Sequence, residues 1–155
     1  MRKELPTACI VRTSWVYGHT KPGLPGTILE QAERQPEVLV VSEQTSAPTY
    51  APDLAAMLDR LMQADAHGTL HAAGANGCTR LEWAREILRL AGKCDVPLRG
   101  VTNAQINRPA PRPKYSVLST ACLAQFGLRA RPWQESLVDY FAVRRQLAAD
   151  PSTMK

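Results

Sequence analysis

The sequence predicts an α/β fold, and three observations carry the prediction. Short apolar, β-branched runs alternate with segments whose apolar residues recur at helical spacing. Turns rich in glycine and proline separate the two kinds of segment. Twelve prolines, most of them between candidate elements, add an irregular, loop-rich lobe. A chain of 155 residues is long enough to bury one real core.

Ala8 to Tyr17 (ACIVRTSWVY) reads as one buried strand that runs into a turn at Gly18. His19 to Gly26, with Pro22, Gly23, Pro25 and Gly26, is turn-rich. Thr27 to Arg34 forms a short helix that must stop before Pro36, because a residue preceding proline is pushed out of the helical region. Val38 to Val41 is a short buried strand, and Ser42 to Pro52 a loop. From Asp53 to Ala64, Leu54, Met57, Leu58, Leu61 and Met62 share one helix face, with Asp53 as the expected N-cap.

Gly68 introduces a strand, Thr69 to Ala73, and Gly74-Ala75-Asn76-Gly77 turns it. Thr79-Arg80-Leu81-Glu82 is a capping box, in which the Thr and Glu side chains each satisfy an orphan backbone N–H. Its helix continues through Trp83, Ile87, Leu88 and Leu90 to Gly92, a natural residue just past a helix end. Val96 to Val101 is a weak strand. Asn107 to Pro113 is too rich in proline for a helix and should be extended. Ser119 to Gln125 is a short helix ended by Gly127, and Pro132 opens the last helix, with Trp133, Leu137, Phe141 and Leu147 on its inner stripe. Residues 1–149 are expected to fold together and residues 150–155 to fray.

Composition narrows the function. The net charge is +5, but the basic residues are scattered apart from Arg108, Arg112 and Lys114, then Arg129 and Arg131. No basic stripe with interleaved aromatics points to nucleic acid. The mildly basic surface suits a nucleotide diphosphate and suits an ordinary solvated face equally well. No apolar run approaches a membrane span, and the start has no signal-peptide core, so no membrane partner and a cytoplasmic location are expected. Cys9, Cys78, Cys94 and Cys122 form no CxxC pair, and no histidine stands at ligand spacing from them, which argues against a metal site or a disulfide framework. Cys9 and Cys122, in apolar segments, are expected in the core.

Five blocks carry the functional signal. Thr13-Ser14-Trp15-Val16-Tyr17-Gly18 is the first, and Glu43 to Ala55 (EQTSAPTYAPDLA) the second. The third is Leu70-His71-Ala72-Ala73-Gly74 followed by Thr79 and Trp83 to Ile87. The fourth is Arg112 to Thr120 (RPKYSVLST). The fifth comprises Leu123, Phe126-Gly127 and Pro132 to Leu137. In this order and spacing they resemble the dTDP-4-dehydrorhamnose reductases, a branch of the extended short-chain dehydrogenases.

The resemblance implies that Ala8 to Tyr17 and Leu70 to Ala73 belong to the remnant of a doubly wound, Rossmann-like parallel sheet. The rest would be a small, irregular substrate-binding lobe. In that family the TSWVYG strand follows the coenzyme-binding half and the catalytic helix, so the N-terminal coenzyme-binding half is expected to be absent. The activity implied for the complete enzyme is NADPH-dependent reduction of dTDP-4-dehydro-β-L-rhamnose to dTDP-L-rhamnose. The chain itself should carry no catalytic residue and hold no cofactor. Its implied partners are a dTDP-sugar, a separate coenzyme-binding half and further copies of itself. A non-enzymatic module that binds a sugar nucleotide or a protein is the alternative. A split or truncated reductase, a decayed gene product and a stand-alone protein all fit.

The candidate substrate-binding residues are Trp15, Gln44, Thr49, Tyr50, Arg112 and Lys114. An indole offers a flat apolar face and one N–H donor, which suits a deoxysugar ring, and the resemblance implies that contact for Trp15; a core tryptophan at a strand end is the other reading. Gln44, Thr49 and Tyr50 lie in a loop, where polar side chains either reach a ligand or serve the turn around Pro48. Arg112 and Lys114 suit a diphosphate, Arg through its two-pronged donors, and suit a solvated Pro-rich loop as well.

Two patterns are set aside. Tyr17-Gly18-His19-Thr20-Lys21 matches the Y-x-x-x-K of short-chain dehydrogenases, in which both side chains must share a helix face. Gly18, Pro22 and Gly23 make such a helix untenable. Gly74 to Gly77 lacks the third glycine of a dinucleotide fingerprint and has no evident ribose-binding acid downstream, so it reads as a capped turn. Two departures from the family also stand out. Pro22 to Gly26 replaces a segment that usually contains an Asn, and Glu43 stands where Asp is usual.

Overall fold

The computed structural model describes residues 7–106, 110 and 112–149. Three strand pairs are parallel: β1 (Cys9–Arg12) with β6 (Gly68–His71), β2 (Val16–Tyr17) with β5 (Thr49–Tyr50), and β3 (Val38–Val41) with β8 (Leu98–Val101). A fourth pair, β4 (Thr45–Ser46) with β7 (Cys78–Thr79), is antiparallel. Parallel partners need long crossover connections. Helices α1 (Gly23–Arg34), α2 (Ala51–Gln63) and α3 (Arg80–Leu90) supply them, and α4 (Trp133–Ala149) closes the described chain. Two 3₁₀ turns, Asn103–Gln105 and Ala121–Phe126, lie in the irregular part.

The first expected strand is divided. Trp15 has φ 40°, a left-handed conformation rare for a bulky residue, so the chain leaves β1 and restarts as β2 beside a different partner. Ser14 secures the break by donating from Oγ to the Ala47 carbonyl at 2.8 Å. Nor is β1 buried: Cys9 and Arg12 are exposed, while Ile10 and Val11 are partly covered. Cys9 is therefore no core residue, and Cys122 is half-buried; Cys78 is the buried cysteine.

Helix α1 begins four residues before the expected start, because Pro25 falls in its first turn, where a missing N–H costs nothing. Ser42 to Pro52 is less irregular than expected and holds β4 and β5. Tyr50 is the N-cap residue of α2, so Asp53 sits inside the first turn instead of capping it. Its carboxylate turns outward to α4, accepting from Arg131 Nη1 at 2.9 Å and from the Ser136 hydroxyl.

The capping box forms as expected: Glu82 N–H donates to Thr79 Oγ1 at 3.1 Å, and Thr79 N–H to Glu82 Oε2 at 2.7 Å. Gly92 follows the end of α3 with φ 70°, and Gly127 ends the second 3₁₀ turn with φ 67°; Ser119 to Gln125 is thus a tighter helix than an α-turn. On α4, Trp133, Leu137 and Phe141 are buried, Tyr140 joins them, and Leu147 is half-exposed. Most of the segment Asn107 to Pro113, and the tail from residue 150, lie outside the described residues.

Two apolar clusters hold the elements. Tyr17, Ile28, Val38, Trp83, Ile87, Leu137 and Tyr140 join β2, β3, α1, α3 and α4. Met57, Leu61, Leu70 and Leu123 join α2 and β6 to the second 3₁₀ turn. Where the two regions meet, the turn after β6 passes against the β4–β5 connection. A Cβ at Gly74 would lie 2.1 Å from the Pro48 carbonyl oxygen, so only glycine fits there.

Candidate functional site

A cleft of about 320 Å³ opens beside the break between β1 and β2. Its walls include Ser14, Trp15, Gln44, Arg80, Arg112 and Ser116. Three expected residues, Trp15, Gln44 and Arg112, are thus brought together from separate blocks of sequence.

Trp15 is fixed by its neighbours. Its indole stacks on Trp83 with centroids 5.7 Å apart and planes 10° from parallel. The Arg80 guanidinium carbon stands 4.4 Å from the Trp15 ring centroid, within cation–π range. Gln44, only 3 % exposed, organises the floor. Its Oε1 accepts from Arg80 Nε at 2.8 Å, its Nε2 donates to Asn103 Oδ1 at 2.6 Å, and its carbonyl accepts the Arg80 N–H at 3.1 Å. Asn103 N–H in turn donates to Glu43 Oε2 at 2.6 Å, so the longer acid at position 43 is used to hold the first 3₁₀ turn.

The other expected residues stand elsewhere. Thr49 is fully buried, donating to the Ala47 carbonyl at 3.3 Å and accepting the Gly74 N–H at 3.1 Å. Tyr50 is buried, with its hydroxyl 2.9 Å from His19 Nε2. Burial, helped by the charges of Asp139 and Asp53, pushes the Tyr50 phenol above its ordinary pKa. Thr49 thus bonds within the turn around Pro48, while the Tyr50 hydroxyl meets His19, and neither residue lines the cleft. Lys114 is exposed, its ammonium 3.8 Å from Glu43 Oε1, and it does not line the cleft. Its carbonyl accepts the Thr45 N–H at 2.8 Å.

Tyr17 lies in β2 and Lys21 in the turn before α1, so no helix face carries the Y-x-x-x-K pair. Burial first, and then the Asp53 charge, drives the Tyr17 phenol far above its ordinary range. The Gly74 to Gly77 turn is filled by protein, with Pro48 against Gly74 and Val117 against Gly77, and offers no cradle for a phosphate. Among the described residues no group of three or more His, Cys, Asp or Glu could hold a metal ion. No helix among them is long and apolar enough to cross a membrane.

Arg80 and Asn103 went unassigned in the sequence, although each carried a signal. Arg80 follows the capping Thr79 directly, so the box that starts α3 also aims this side chain. Thr102-Asn103-Ala104-Gln105 is itself a capping box, and it places Asn103 at the start of its turn.

Parallel strands crossed over by helices, with a polar cleft beside a strand break, define a Rossmann-like α/β protein of the extended short-chain dehydrogenase/reductase type. Residues 1–145 match the RmlD substrate binding domain, and the chain belongs to that family. It is 37 % identical over 144 residues to the spore coat polysaccharide biosynthesis protein SpsK of Bacillus subtilis, covering 93 % of this chain and 50 % of SpsK. It is 39 % identical over 140 residues to the dTDP-4-dehydrorhamnose reductase of Mycobacterium tuberculosis, covering 88 % and 46 %. The crystal structure of a dTDP-4-dehydrorhamnose reductase from Clostridium acetobutylicum superposes with a TM-score of 0.85 at 34 % identity, over 92 % of this chain and 51 % of that one. The Bacillus anthracis reductase, solved in complex with NADP, gives 0.79 at 31 % identity, over 86 % and 47 %. The chain spans about half the length of the curated relatives it matches.

Proposed function

We propose that the chain is the substrate-binding portion of an NADPH-dependent dTDP-4-dehydrorhamnose reductase, and that the cleft at Trp15 receives the dTDP-sugar. The observation that carries this reading is the gathering of Trp15, Gln44 and Arg112 around one cleft in a chain that matches the RmlD substrate binding domain. The indole edge offers the sugar an apolar surface, and Arg112 offers the diphosphate a planar pair of donors. Gln44, almost wholly buried, positions its neighbours. Thr49 and Tyr50 act one layer behind, holding the connection that carries the floor, while Lys114 adds positive charge outside the cleft wall.

The packing of the Gly74 to Gly77 turn by Pro48 and Val117 supports placing the dinucleotide coenzyme elsewhere in the complete enzyme. Hydride transfer is therefore assigned to a separate coenzyme-binding half, with the complete reductase working in the cytoplasm. Co-expression with the N-terminal half of a homologous reductase tests the assignment. The reconstituted complex should oxidise NADPH in the presence of dTDP-4-dehydrorhamnose, and the chain alone should bind no NADPH. Trp15→Ala should remove roughly 1–3 kcal/mol of substrate binding, the scale of one large apolar contact. An active complex whose KM and kcat ignore that substitution would refute the role of Trp15.

A further inference from the structure

We infer that Arg80 is a diphosphate-binding residue of this cleft, acting together with Arg112; the inference rests on the reading of the cleft as a nucleotide-sugar site. Among the described residues that line the cleft, Arg80 and Arg112 are the charged ones and none is a carboxylate. A cavity walled by two guanidinium groups, hydroxyls and an indole selects an anion that also presents a flat or apolar portion. A nucleoside diphosphate ester has that chemistry.

The manner in which Arg80 is held sets it apart from a solvated surface arginine. Its main-chain N–H and its side-chain Nε are both fastened to Gln44, at 3.1 and 2.8 Å. Gln44 is itself buried and tied to Asn103 at 2.6 Å. The guanidinium also lies 4.4 Å from the Trp15 ring centroid. The bond to the Gln44 amide orients the guanidinium. Ordering a long side chain normally counts against binding, and here much of that ordering is present before a ligand arrives. The same arrangement couples the two halves of recognition: the guanidinium that Gln44 holds also packs against the Trp15 indole.

Calorimetric titration with dTDP of the chain reconstituted with the N-terminal half of a homologous reductase decides the matter, with wild type, Arg80→Met and Arg80→Lys compared after each is shown to form the complex. Arg80→Met keeps an unbranched apolar stem against Trp15 and removes the charge. It should weaken dTDP binding at least about tenfold, the scale of one charge-assisted hydrogen bond. Arg80→Lys keeps the charge and loses the planar fork, and should fall between the two. Wild-type binding that Arg80→Met leaves unchanged overturns the role of Arg80 and leaves the nucleotide reading standing. A wild-type complex that does not bind dTDP overturns both. If Arg80→Met fails to form the complex, Arg80→Lys decides, and wild-type affinity in that variant overturns the inference.

Discussion

Tyr17 shows how a residue in a functional block can be devoted to packing. It is 1 % exposed and sits among Tyr50, Trp83 and Tyr140, with ring centroids 5.3–5.4 Å away. Its hydroxyl has no hydrogen-bond partner among the described residues. Removing an unsatisfied buried hydroxyl takes away a desolvation penalty, so Tyr17→Phe should change stability at neutral pH by less than about 1 kcal/mol or raise it. The same burial has a pH signature. Tyr17 is pushed upward from 10.0, and the Cys78 thiol is pushed by burial, then by Glu82, from 9.0 up to about 12. Each group holds its proton more tightly folded than unfolded. Their contribution is fully present below the ordinary values and is lost as the pH rises towards the folded ones. Melting temperature should hold steady near neutrality and fall above about pH 9, and Tyr17→Phe should blunt that fall. A melting temperature insensitive to alkali would contradict the buried placement of both groups.

Among the elements, α3 is the one whose start the sequence marks most completely. Thr79→Ala removes the hydroxyl that accepts the Glu82 N–H and should cost about 1 kcal/mol in denaturant unfolding. The Thr79 bonds, backbone first, hold the Glu82 carboxyl below its ordinary pKa, so this stabilisation is present above that value and lost as acid protonates the group. A loss confined to low pH would show that the box does not form at neutrality. Features of this kind were legible because their partners lie three residues apart, as were Gly92 and Gly127, whose left-handed conformation follows from local chain geometry. Long-range choices were not. Nothing local distinguishes a first-turn Asp that caps its own helix from one that reaches Arg131, and Asp53 does the latter. Arg12-Thr13-Ser14 interrupts the apolar run, but nothing in it announces that Trp15 will adopt a positive φ and divide the strand. The site divides along the same line. Trp15 was picked out through the resemblance, Gln44 by its loop and Arg112 by its donor chemistry, and the structure sets all three around one cleft; that the loop would pair with β2 and bury Thr49 and Tyr50 was not legible.

At the scale of the whole molecule, β1 has one described partner, β6, and its other edge is unpaired among the described residues. Val16 is 44 % exposed and Met62 74 %, and an apolar groove lined by Val11, Leu58 and Leu61 runs beside β1. An open parallel edge beside apolar surface invites pairing with another chain. The chain alone should therefore self-associate in size-exclusion chromatography with light scattering, and the added coenzyme-binding half should dissolve those assemblies. A monomer with a sharp, cooperative melt would point instead to an autonomous binding module. The parallel pairing has a second consequence, for the order of events during synthesis. Cys9 pairs with Gly68, and Val38 with Leu98, each separation being about sixty residues along the chain, and topology of this sort slows folding. β1 can pair with β6 only after the two helices between them, α1 and α2, have been made. Through that interval the edge of β1 that β6 will cover stays open, which makes the nascent chain, more than the finished one, the form that depends on chaperones.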